Sequence, residues 1–445
     1  MVMTISLKDV KSPFKAVAEY PPTLPYIGQD SAYYRLQDFA QAMRAEEQAH
    51  FLALFGAWAI GKSRLAHELI AQFCGESQGW TLTNGQRAEP LLKPLSQGGD
   101  VVPLFVSFVD VINFQQYGIE SGPAMGKLTC AATAYLAGSK RRESHVVLFQ
   151  SLRATLTAIN PNFDFERLVE LANDVSRSYA ERAGQIVEAL RAMTGGRAQR
   201  VLVIVDEVES GADVNPFAEE LEKEVANRPI PIRAVRDLYT GVKDATNTNA
   251  YPHLNFLFFN TDTAKRLTAM EALERRMVSA DLEKASASDL DRLIAALRES
   301  GYPLHDTLED LARRAFFAAD RSFGWFSFIM NKAHYALVNT PDLSIDQVFA
   351  EVYRRAGKVF QPGVFEDRDI APPALKDAMR RVIYNQLPTT LADLGVDPSL
   401  RSAMLGYQDP FQTRFIGEAA AIATSADLLT SALLATGRYT SELQP

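Results

Sequence analysis

The segment GAWAIGKS, residues 56–63, has the residue types and the spacing that bind a phosphate chain. Gly56 and Gly61 allow the backbone between them to turn its N–H groups toward phosphate oxygens. Lys62 has the length and charge to reach the β- and γ-phosphates, and Ser63 offers a hydroxyl to a Mg²⁺ ion. The segment therefore predicts a phosphate-binding loop, and its predicted nucleotide contacts are Gly56, Ala57, Trp58, Ala59, Ile60, Gly61, Lys62, Ser63 and Arg64.

The residues on either side of this loop match the elements that it requires. The apolar run at residues 50–55 is typical of a strand buried on both faces of a parallel sheet. Residues 63–73 have helical periodicity, and a helix that begins there would direct its N-terminus at the anion. A second fragment, residues 122–129, has only three residues between its glycines and no apolar run before it, so we interpret it as a chance match.

Two acidic residues, Asp206 and Glu207, follow directly after the apolar run at residues 201–205. At the carboxyl end of a strand beside the phosphate loop, Asp206 would bind Mg²⁺ together with Ser63. Glu207 would polarise the water molecule that attacks the γ-phosphate. The alternative is a buried strand followed by a solvated acidic turn, but the loop upstream favours the site. These residues predict ATP and Mg²⁺ as ligands, and hydrolysis as well as binding.

Two further positions have side chains that suit phosphoryl transfer. Asn260 follows the apolar run at residues 255–259, and its amide would sense the γ-phosphate or orient the water, with Thr261 as the second candidate. Asn and Thr also favour turns, which is the alternative interpretation. Arg275 and Arg276 follow a helical stretch and suit an arginine finger that enters a neighbouring subunit's site. A solvated helix face with salt bridges is the alternative, and the sequence leaves both interpretations open.

Strand-like runs alternate with helical stretches along the first 280 residues. This alternation predicts an α/β fold, an αβα sandwich with a parallel sheet, and only helical periodicity follows it. Residues 81–100 are rich in Gly and Pro and are predicted to be mostly loop. The predicted strands are residues 50–55, 101–111, 201–205, 255–259 and a short one near 277–278; the predicted helices cover 31–47, 63–73, most of 123–196 with a break at 160–164, and 231–244.

The composition is that of a globular protein with a sizeable core. The chain has 445 residues, of which 47% are hydrophobic and 22% charged, and its net charge is −8. The acidic charge argues against a generally basic nucleic-acid coat protein, although it permits a local basic face. The two cysteines form no CxxC motif, which excludes a zinc knuckle or a disulfide framework. With neither a signal-like segment nor an apolar run of membrane-spanning length, we expect a cytoplasmic protein with no membrane partner.

The order of these pieces resembles the AAA+ P-loop ATPases: a phosphate loop, an Asp-Glu strand, a polar strand end, an arginine pair and a helical lid. The segment PPTLPYIGQDSAYYRLQDFAQAM, residues 21–43, is similar to the approach segment of the branch that contains the origin-recognition initiators and the STAND-type signalling ATPases. In that branch the turn at residues 27–30 lies against the adenine ring. The resemblance therefore implies that Tyr26 and Ile27 contact the base, and that the chain assembles into a homo-oligomer through its ATP sites.

The resemblance also implies a domain organisation, and the sequence departs from it in three places. Ala59 stands where many members have a third glycine. Gly324 occupies the lid-helix position of the second sensor arginine, so Arg321, about one turn earlier, is the candidate for that role. The segment between the second and third strands is longer than a minimal core needs and suits a partner-specific insertion. The implied divisions are an N-terminal extension (1–19), the ATPase core (20–280), the helical lid (281–340) and a C-terminal domain (341–445).

The C-terminal region leaves two functions open. It is predicted to be mainly helical and carries a basic patch of Lys376, Arg380 and Arg381. The resemblance to the initiator-type AAA+ proteins implies a winged helix that binds DNA, and a helical packing or oligomer interface is the alternative. The first hypothesis is an oligomeric AAA+ ATPase that acts on DNA or a DNA-bound partner, with a prokaryotic genome-defence or mobile-element system as its setting. The second is a nucleotide-controlled, STAND-like switch that regulates a protein effector without nucleic acid.

Overall fold

The described residues form two compact units, one between residues 18 and 283 and the other comprising residues 7–14 together with residues from 284 onward. The predicted C-terminal domain lies outside the described residues from 349 on. The computed structural model describes residues 7–14, 18–56, 60–108, 111, 124–138, 145–208, 231–260, 277–304, 306–319, 321–345 and 347–348.

The first unit is built on a five-stranded parallel sheet with the order β4-β5-β6-β2-β7. A separate two-stranded parallel sheet pairs β1 with β3. The parallel sheet with helices between its strands confirms the predicted α/β fold class. The strands are β1 (Tyr26–Ile27), β2 (Phe51–Phe55), β3 (Trp80–Thr81), β4 (Val101–Ser107), β5 (Arg200–Asp206), β6 (Leu254–Asn260) and β7 (Val278–Asp281).

The burial of the strands explains which boundaries the sequence predicted well. Every residue of β2, β4 and β6 is buried, as expected for continuous apolar runs in a sheet that is covered on both faces. The second predicted strand reaches residue 111, but β4 ends at Ser107. Phe108 and Val111 are buried outside the strand, so the apolar pattern continues after the strand has ended. β7, the short strand predicted near residues 277–278, lies at the sheet edge, and Ala280 is its only buried residue. It begins at Val278, one residue after the start of the predicted range.

The helices follow the predicted pattern, including the break at residues 160–164. After that break, Asp164 caps the next helix by accepting the Arg167 N–H at 2.8 Å. Ser178 and Glu181 form a reciprocal capping box at the start of the following helix, Tyr179–Met193. The helices are α1 (Asp30–Ala45), α2 (Lys62–Cys74), α3 (Ala124–Ala137), α4 (Val146–Ile159), α5 (Phe165–Asn173), α6 (Tyr179–Met193), α7 (Pro231–Thr248), α8 (Ala287–Glu299), α9 (Asp306–Ala318) and α10 (Phe323–Asn339).

Helix α3 is the buried centre of the segment that separates β4 from β5. Residues 124–136 are all buried, and α3 packs against β4 and β5 on one side and against α5 and α6 on the other. The chance match to the phosphate loop falls here, in a helix rather than a loop. Its Lys127 is buried with the ammonium 5.2 Å from the ring of Tyr179, where a cation–π contact holds it.

The second unit is helical and includes residues close to the N-terminus. It contains α8, α9 and α10, which agrees with the helical periodicity predicted beyond residue 280. Phe14 packs edge-on against Tyr302 and Phe326, with ring centroids 5.6 and 5.7 Å apart. The Tyr302 hydroxyl lies 2.9 Å from Nδ1 of the buried His334. Burial lowers the pKa of His334, so its ring stays neutral at physiological pH. No helix in the described ranges is long and apolar enough to cross a membrane.

Gly126 allows α3 to approach the start of α6, which gives a stability prediction. A Cβ at this position would lie 2.6 Å from the carbonyl oxygen of Tyr179, so Gly126→Ala is expected to force the helices apart and lower the free energy of unfolding by about 1–3 kcal/mol. Urea denaturation measures this change. Gly184→Ala is the matched control, because it lies within α6 with no atom in its way and should stabilise by about 0.5–1 kcal/mol. Equal effects of the two substitutions would contradict the packing argument.

Candidate functional site

The carboxyl ends of the sheet strands bring the predicted catalytic residues to one edge. All neighbouring strands in the five-stranded sheet are parallel, so their ends point the same way. The register pairs Phe55 with Asn260 on one side and with Asp281 on the other. It also pairs Ser107 with Asp206. Open α/β sheets bind ligands at this edge, outside the carboxyl ends of their strands.

Gly56 connects β2 to the loop through two hydrogen bonds. Its N–H donates to the Asn260 carbonyl at 3.1 Å, and its own carbonyl accepts from Nζ of Lys62 at 2.8 Å. A Cβ on Gly56 would lie 2.8 Å from Cγ2 of the buried Ile60, so a larger residue would displace the loop. These contacts join the two described ends of the loop, Gly56 on one side and Ile60 and Lys62 on the other. The predicted contacts Ala57, Trp58 and Ala59 lie outside the described residues.

Helix α2 begins inside the motif, as the sequence predicts. Gly61 is its N-cap with φ of 113°, a backbone conformation that residues with a side chain rarely adopt. Lys62 and Ser63 occupy the first turn, where backbone N–H groups and the helix dipole favour an anion. The Lys62 side chain is only 7% exposed. An ammonium has three rotatable donors, so Lys62 can turn from the Gly56 carbonyl to a phosphate oxygen.

The acidic pair occupies the end of the neighbouring strand β5. Asp206 is buried at its last position, and Glu207 follows with φ of 56°. Non-glycine residues in the left-handed region are uncommon and concentrate at functional sites, where the surrounding structure imposes the strain. Here the Glu207 carboxylate accepts a hydrogen bond from the Ser107 hydroxyl at 2.5 Å. Ser107, at the end of the adjacent strand β4, thus holds the side chain of Glu207, the candidate catalytic base.

Ser107 is a site residue that the sequence analysis missed. It is the last residue of β4 and is buried beside Asp206. The signal was present, because Ser107 is a polar residue within an apolar run, as Asn260 is at the end of β6. Asn260 itself is fully buried at the strand end, where its carbonyl binds Gly56. Thr261, Arg275 and Arg276 lie outside the described residues.

The predicted base contacts, Tyr26 and Ile27, form strand β1 and are buried. They pair in parallel with Trp80 and Thr81 of β3, which overlaps the start of the region predicted to be mostly loop at Thr81. A two-residue strand has no periodicity that a sequence pattern could reveal, which explains the difference. The Trp80 ring packs edge-on against Tyr26 at 4.8 Å and donates its indole N–H to the Gly28 carbonyl at 2.7 Å.

Arg64 connects the segment before β1 to helix α2. Its guanidinium donates to the Leu24 carbonyl and to the carboxylate of Glu68, and it lies 5.7 Å from the centroid of the Tyr26 ring. Glu68 is fully buried and also accepts from Gln72 and Ser77. These contacts hold the approach segment against α2. The predicted role of Arg64 as a nucleotide contact stays a prediction, because its contacts in the structure are to this segment.

The turn after β1 is bonded to the last residue of the same unit. Gln29, with φ of 61°, donates its amide to the Glu283 carbonyl and accepts from the Glu283 N–H at 2.8 Å. One side chain therefore pairs with a backbone as a neighbouring strand would. Asp30 follows and accepts from the N–H and hydroxyl of Thr83. These bonds give the turn predicted to face the base a fixed conformation.

Arg321, the candidate second sensor, lies in the helical unit between α9 and α10. Its φ is 62°, its N–H donates to the Phe316 carbonyl at 2.8 Å, and its carbonyl accepts from the Ala285 N–H at 2.9 Å. The backbone bonds explain the sharp turn at this position. The proposed contact of its side chain with nucleotide stays a prediction.

The side chains of the first unit fit a Mg²⁺-bound nucleoside triphosphate. A buried ammonium, a helix N-terminus and a left-handed glycine suit the phosphates. The hydroxyl of Ser63 and the carboxylate of Asp206 are the hard oxygen ligands that Mg²⁺ prefers. Asp206 and Glu207 stand at the end of β5, which only β6 separates from the strand that leads into the loop. The chemistry that the arrangement permits is binding and hydrolysis of the terminal phosphate.

Comparisons with known proteins give a likeness in structure but none in sequence. No protein-family profile matches the sequence, and no curated protein matches it. Among solved structures, the chain is similar to the ORC1 protein of Aeropyrum pernix in complex with DNA, at 12% identity and a TM-score of 0.40. The likeness covers 94% of this chain and 89% of the other. At these values it does not extend to activity, and the α/β assignment rests on the sheet itself.

The ion pair between Arg64 and Glu68 gives a prediction for the approach segment. Arg64→Met leaves a fully buried carboxylate without its cation, so we expect the free energy of unfolding to fall by about 2–4 kcal/mol. Arg64→Met/Glu68→Met, which removes both charges, should recover most of this loss. Urea denaturation of the single and double variants measures the coupling. Additive losses would show that the pair does not act as a unit.

Proposed function

We propose that this chain is an ATP-hydrolysing P-loop enzyme of the AAA+ type. The observation that carries the proposal is that β2, which leads into Gly56, and β5, which ends at Asp206, are parallel strands separated only by β6, so both end at the same sheet edge. Binding alone would need the loop, Lys62 and the start of α2. The acidic pair, with Glu207 oriented by Ser107, supplies the groups that hydrolysis requires in addition.

Each residue has a distinct part in the proposed reaction. Lys62 and the N–H groups at the start of α2 bind the β- and γ-phosphates and spread their charge. Ser63 and Asp206 hold Mg²⁺, which when bound neutralises the phosphate oxygens. Glu207 accepts the hydrogen bond of the attacking water and takes its proton as the oxygen adds to the γ-phosphorus, while the bond to the β–γ bridging oxygen breaks and ADP leaves. Ser107 keeps the Glu207 carboxylate in place, and the Asn260 amide orients the water or the γ-phosphate.

The finer assignment extends this activity to an oligomer that acts on DNA. The order of motifs along the sequence and the helical unit after β7 support the resemblance to initiator-type AAA+ ATPases. In the family's arrangement Arg275 and Arg276 reach the site of a neighbouring subunit, and Arg321 is the candidate for the second sensor arginine. Tyr26 and Ile27 face the base. A DNA-bound partner, or DNA itself, in a genome-defence or mobile-element system is the proposed target.

A nucleotide-controlled switch that regulates a protein effector is the second candidate. The observation that favours it is the net charge of −8, since duplex DNA repels an acidic protein unless a basic face compensates. The same ATP site serves both candidates. They differ in whether nucleic acid binds.

The hydrolysis step has a direct test in three variants. Glu207→Gln should keep ATP affinity and lower turnover by about 10²–10⁴-fold, because the amide cannot take the proton. Lys62→Ala should lose ATP binding, and Ser107→Ala should lower kcat more than it changes KM. Phosphate release and titration calorimetry measure these values. Glu188→Gln, an exposed carboxylate on α6, is the matched control. Normal turnover in Glu207→Gln would remove that residue from the mechanism.

Gel-shift measurements separate the two candidates. If the chain acts on DNA, the Glu207→Gln protein with ATP should bind duplex DNA, and affinity should fall steeply as salt rises from about 50 to 200 mM. Lys376→Ala/Arg380→Ala/Arg381→Ala should weaken this binding without affecting turnover. ATP-dependent, salt-sensitive binding would reject the effector switch. Its absence at low salt would reject the DNA-acting candidate.

Mass photometry of the same samples reports assembly. The wild-type protein with ATP should form a defined multimer, and Arg275→Ala/Arg276→Ala should lower turnover and multimer formation together. An unchanged multimer and unchanged turnover in that variant would reject the proposed role of the arginine pair.

A further inference from the structure

The Tyr26 ring packs near the N-terminal end of α2, where the phosphate loop joins the helix. Trp80 contacts it edge-on, with centroids 4.8 Å apart, and the Arg64 guanidinium lies over it at 5.7 Å. The residue is only 6% exposed. The ring is therefore committed to contacts within the protein. What the residue presents to a ligand is its hydroxyl.

The hydroxyl of Tyr26 is buried and has no hydrogen-bond partner among the residues that the structure describes. It lies 3.5 Å from the position that a Cβ would take on Gly61, so it is directed at the N-cap of α2. Burial raises the pKa of Tyr26 well above its ordinary value, which keeps the group a protonated donor at any physiological pH. A buried donor without an acceptor is costly and calls for an explanation.

Neighbouring polar groups in the same aromatic cluster are satisfied, which makes Tyr26 an exception within it. The Tyr33 hydroxyl donates to the Glu89 carbonyl at 3.1 Å, and the Trp80 indole N–H donates to the Gly28 carbonyl at 2.7 Å. Tyr33 and Trp80 themselves pack at 5.2 Å between centroids. The cluster therefore has acceptors where its other donors point, and the Tyr26 hydroxyl points instead at the phosphate loop.

We infer that the Tyr26 hydroxyl donates a hydrogen bond to a phosphate oxygen of the bound nucleotide. Gly61 directly precedes Lys62, and a phosphate at the start of α2 would bring an anionic acceptor beside it. Tyr26 would then contact the phosphate chain rather than the base, which revises the role implied by the resemblance. The inference rests on the proposed ATP site and adds to it a donor from outside the loop.

Tyr26→Phe separates this role from a structural one, because the two predict opposite effects. Phenylalanine keeps the ring contacts with Trp80 and Arg64 and removes an unsatisfied hydroxyl. The thermal midpoint of the nucleotide-free protein should therefore stay the same or rise. The affinity for ATP should fall about 10- to 100-fold, as expected for a lost hydrogen bond to a charged acceptor. A merely structural tyrosine would lose stability instead.

Tyr33→Phe is the matched control. It removes a hydroxyl that is bonded to the Glu89 carbonyl in the same cluster. It should lower the thermal midpoint and change ATP affinity less than about twofold, because its hydroxyl does not face the loop. Tyr26→Phe should therefore lower ATP affinity but not stability, and Tyr33→Phe should lower stability but not ATP affinity.

Competition with inorganic tripolyphosphate, which has neither base nor ribose, assigns the acceptor. ATP and tripolyphosphate each displace a fluorescent ATP analogue from the wild-type protein and from Tyr26→Phe. The affinity of both competitors should be lower for the variant, by the same factor. The inference is overturned if Tyr26→Phe binds ATP with wild-type affinity. It is also overturned if the inhibition constant of tripolyphosphate is the same for the wild-type protein and the variant. Failure of wild type to bind ATP, or normal binding by Lys62→Ala, would reject the proposed function instead.

Discussion

The parallel pairing of β2 with β6 is the interaction on which the candidate site depends. It aligns Phe55 with Asn260, and it continues for one more hydrogen bond, from the Gly56 N–H to the Asn260 carbonyl. That last bond fixes where the strand ends and the loop begins. Because β6 also pairs with β5, the same alignment brings Asp206 and Glu207 to the edge from which the loop emerges. A shift of register would separate the lysine from the acids.

The site is then held by side chains that bond to the backbone or to another side chain. Lys62 binds the Gly56 carbonyl, Ser107 binds Glu207, and Gln29 pairs with the backbone of Glu283. Each pair joins residues from different elements, so no single helix or strand defines the geometry. Polar groups near a charged ligand are effective when they are fixed in advance, because little reorganisation is left for the moment of reaction.

The sequence predicted the parts of the molecule that have strong local patterns. Fully buried strands such as β2 appear as continuous apolar runs, and the loop motif specifies the start of α2. The sequence could not predict β1 and β3, since two residues have no periodicity, or the bond from Ser107 to Glu207, which joins positions 100 residues apart. The same holds for the orientation of Tyr26. The resemblance implies that Tyr26 contacts the base, and only the packing of its ring against Trp80 and Arg64 reveals where the hydroxyl points.

The position of β2 in the sheet has a consequence for how the chain is synthesised. β2 is an early segment, yet its strand partners β6 and β7 leave the ribosome roughly 200 residues later, which at usual rates of translation is a delay of about 10–40 s. Its sequence, FLALF, is uncharged and lacks proline, which is typical of segments that aggregate while exposed. α1, which packs on β2, can cover one of its faces but cannot pair with its edges. Both edges of β2 therefore stay without their strand partners until β6 and then β7 have been synthesised.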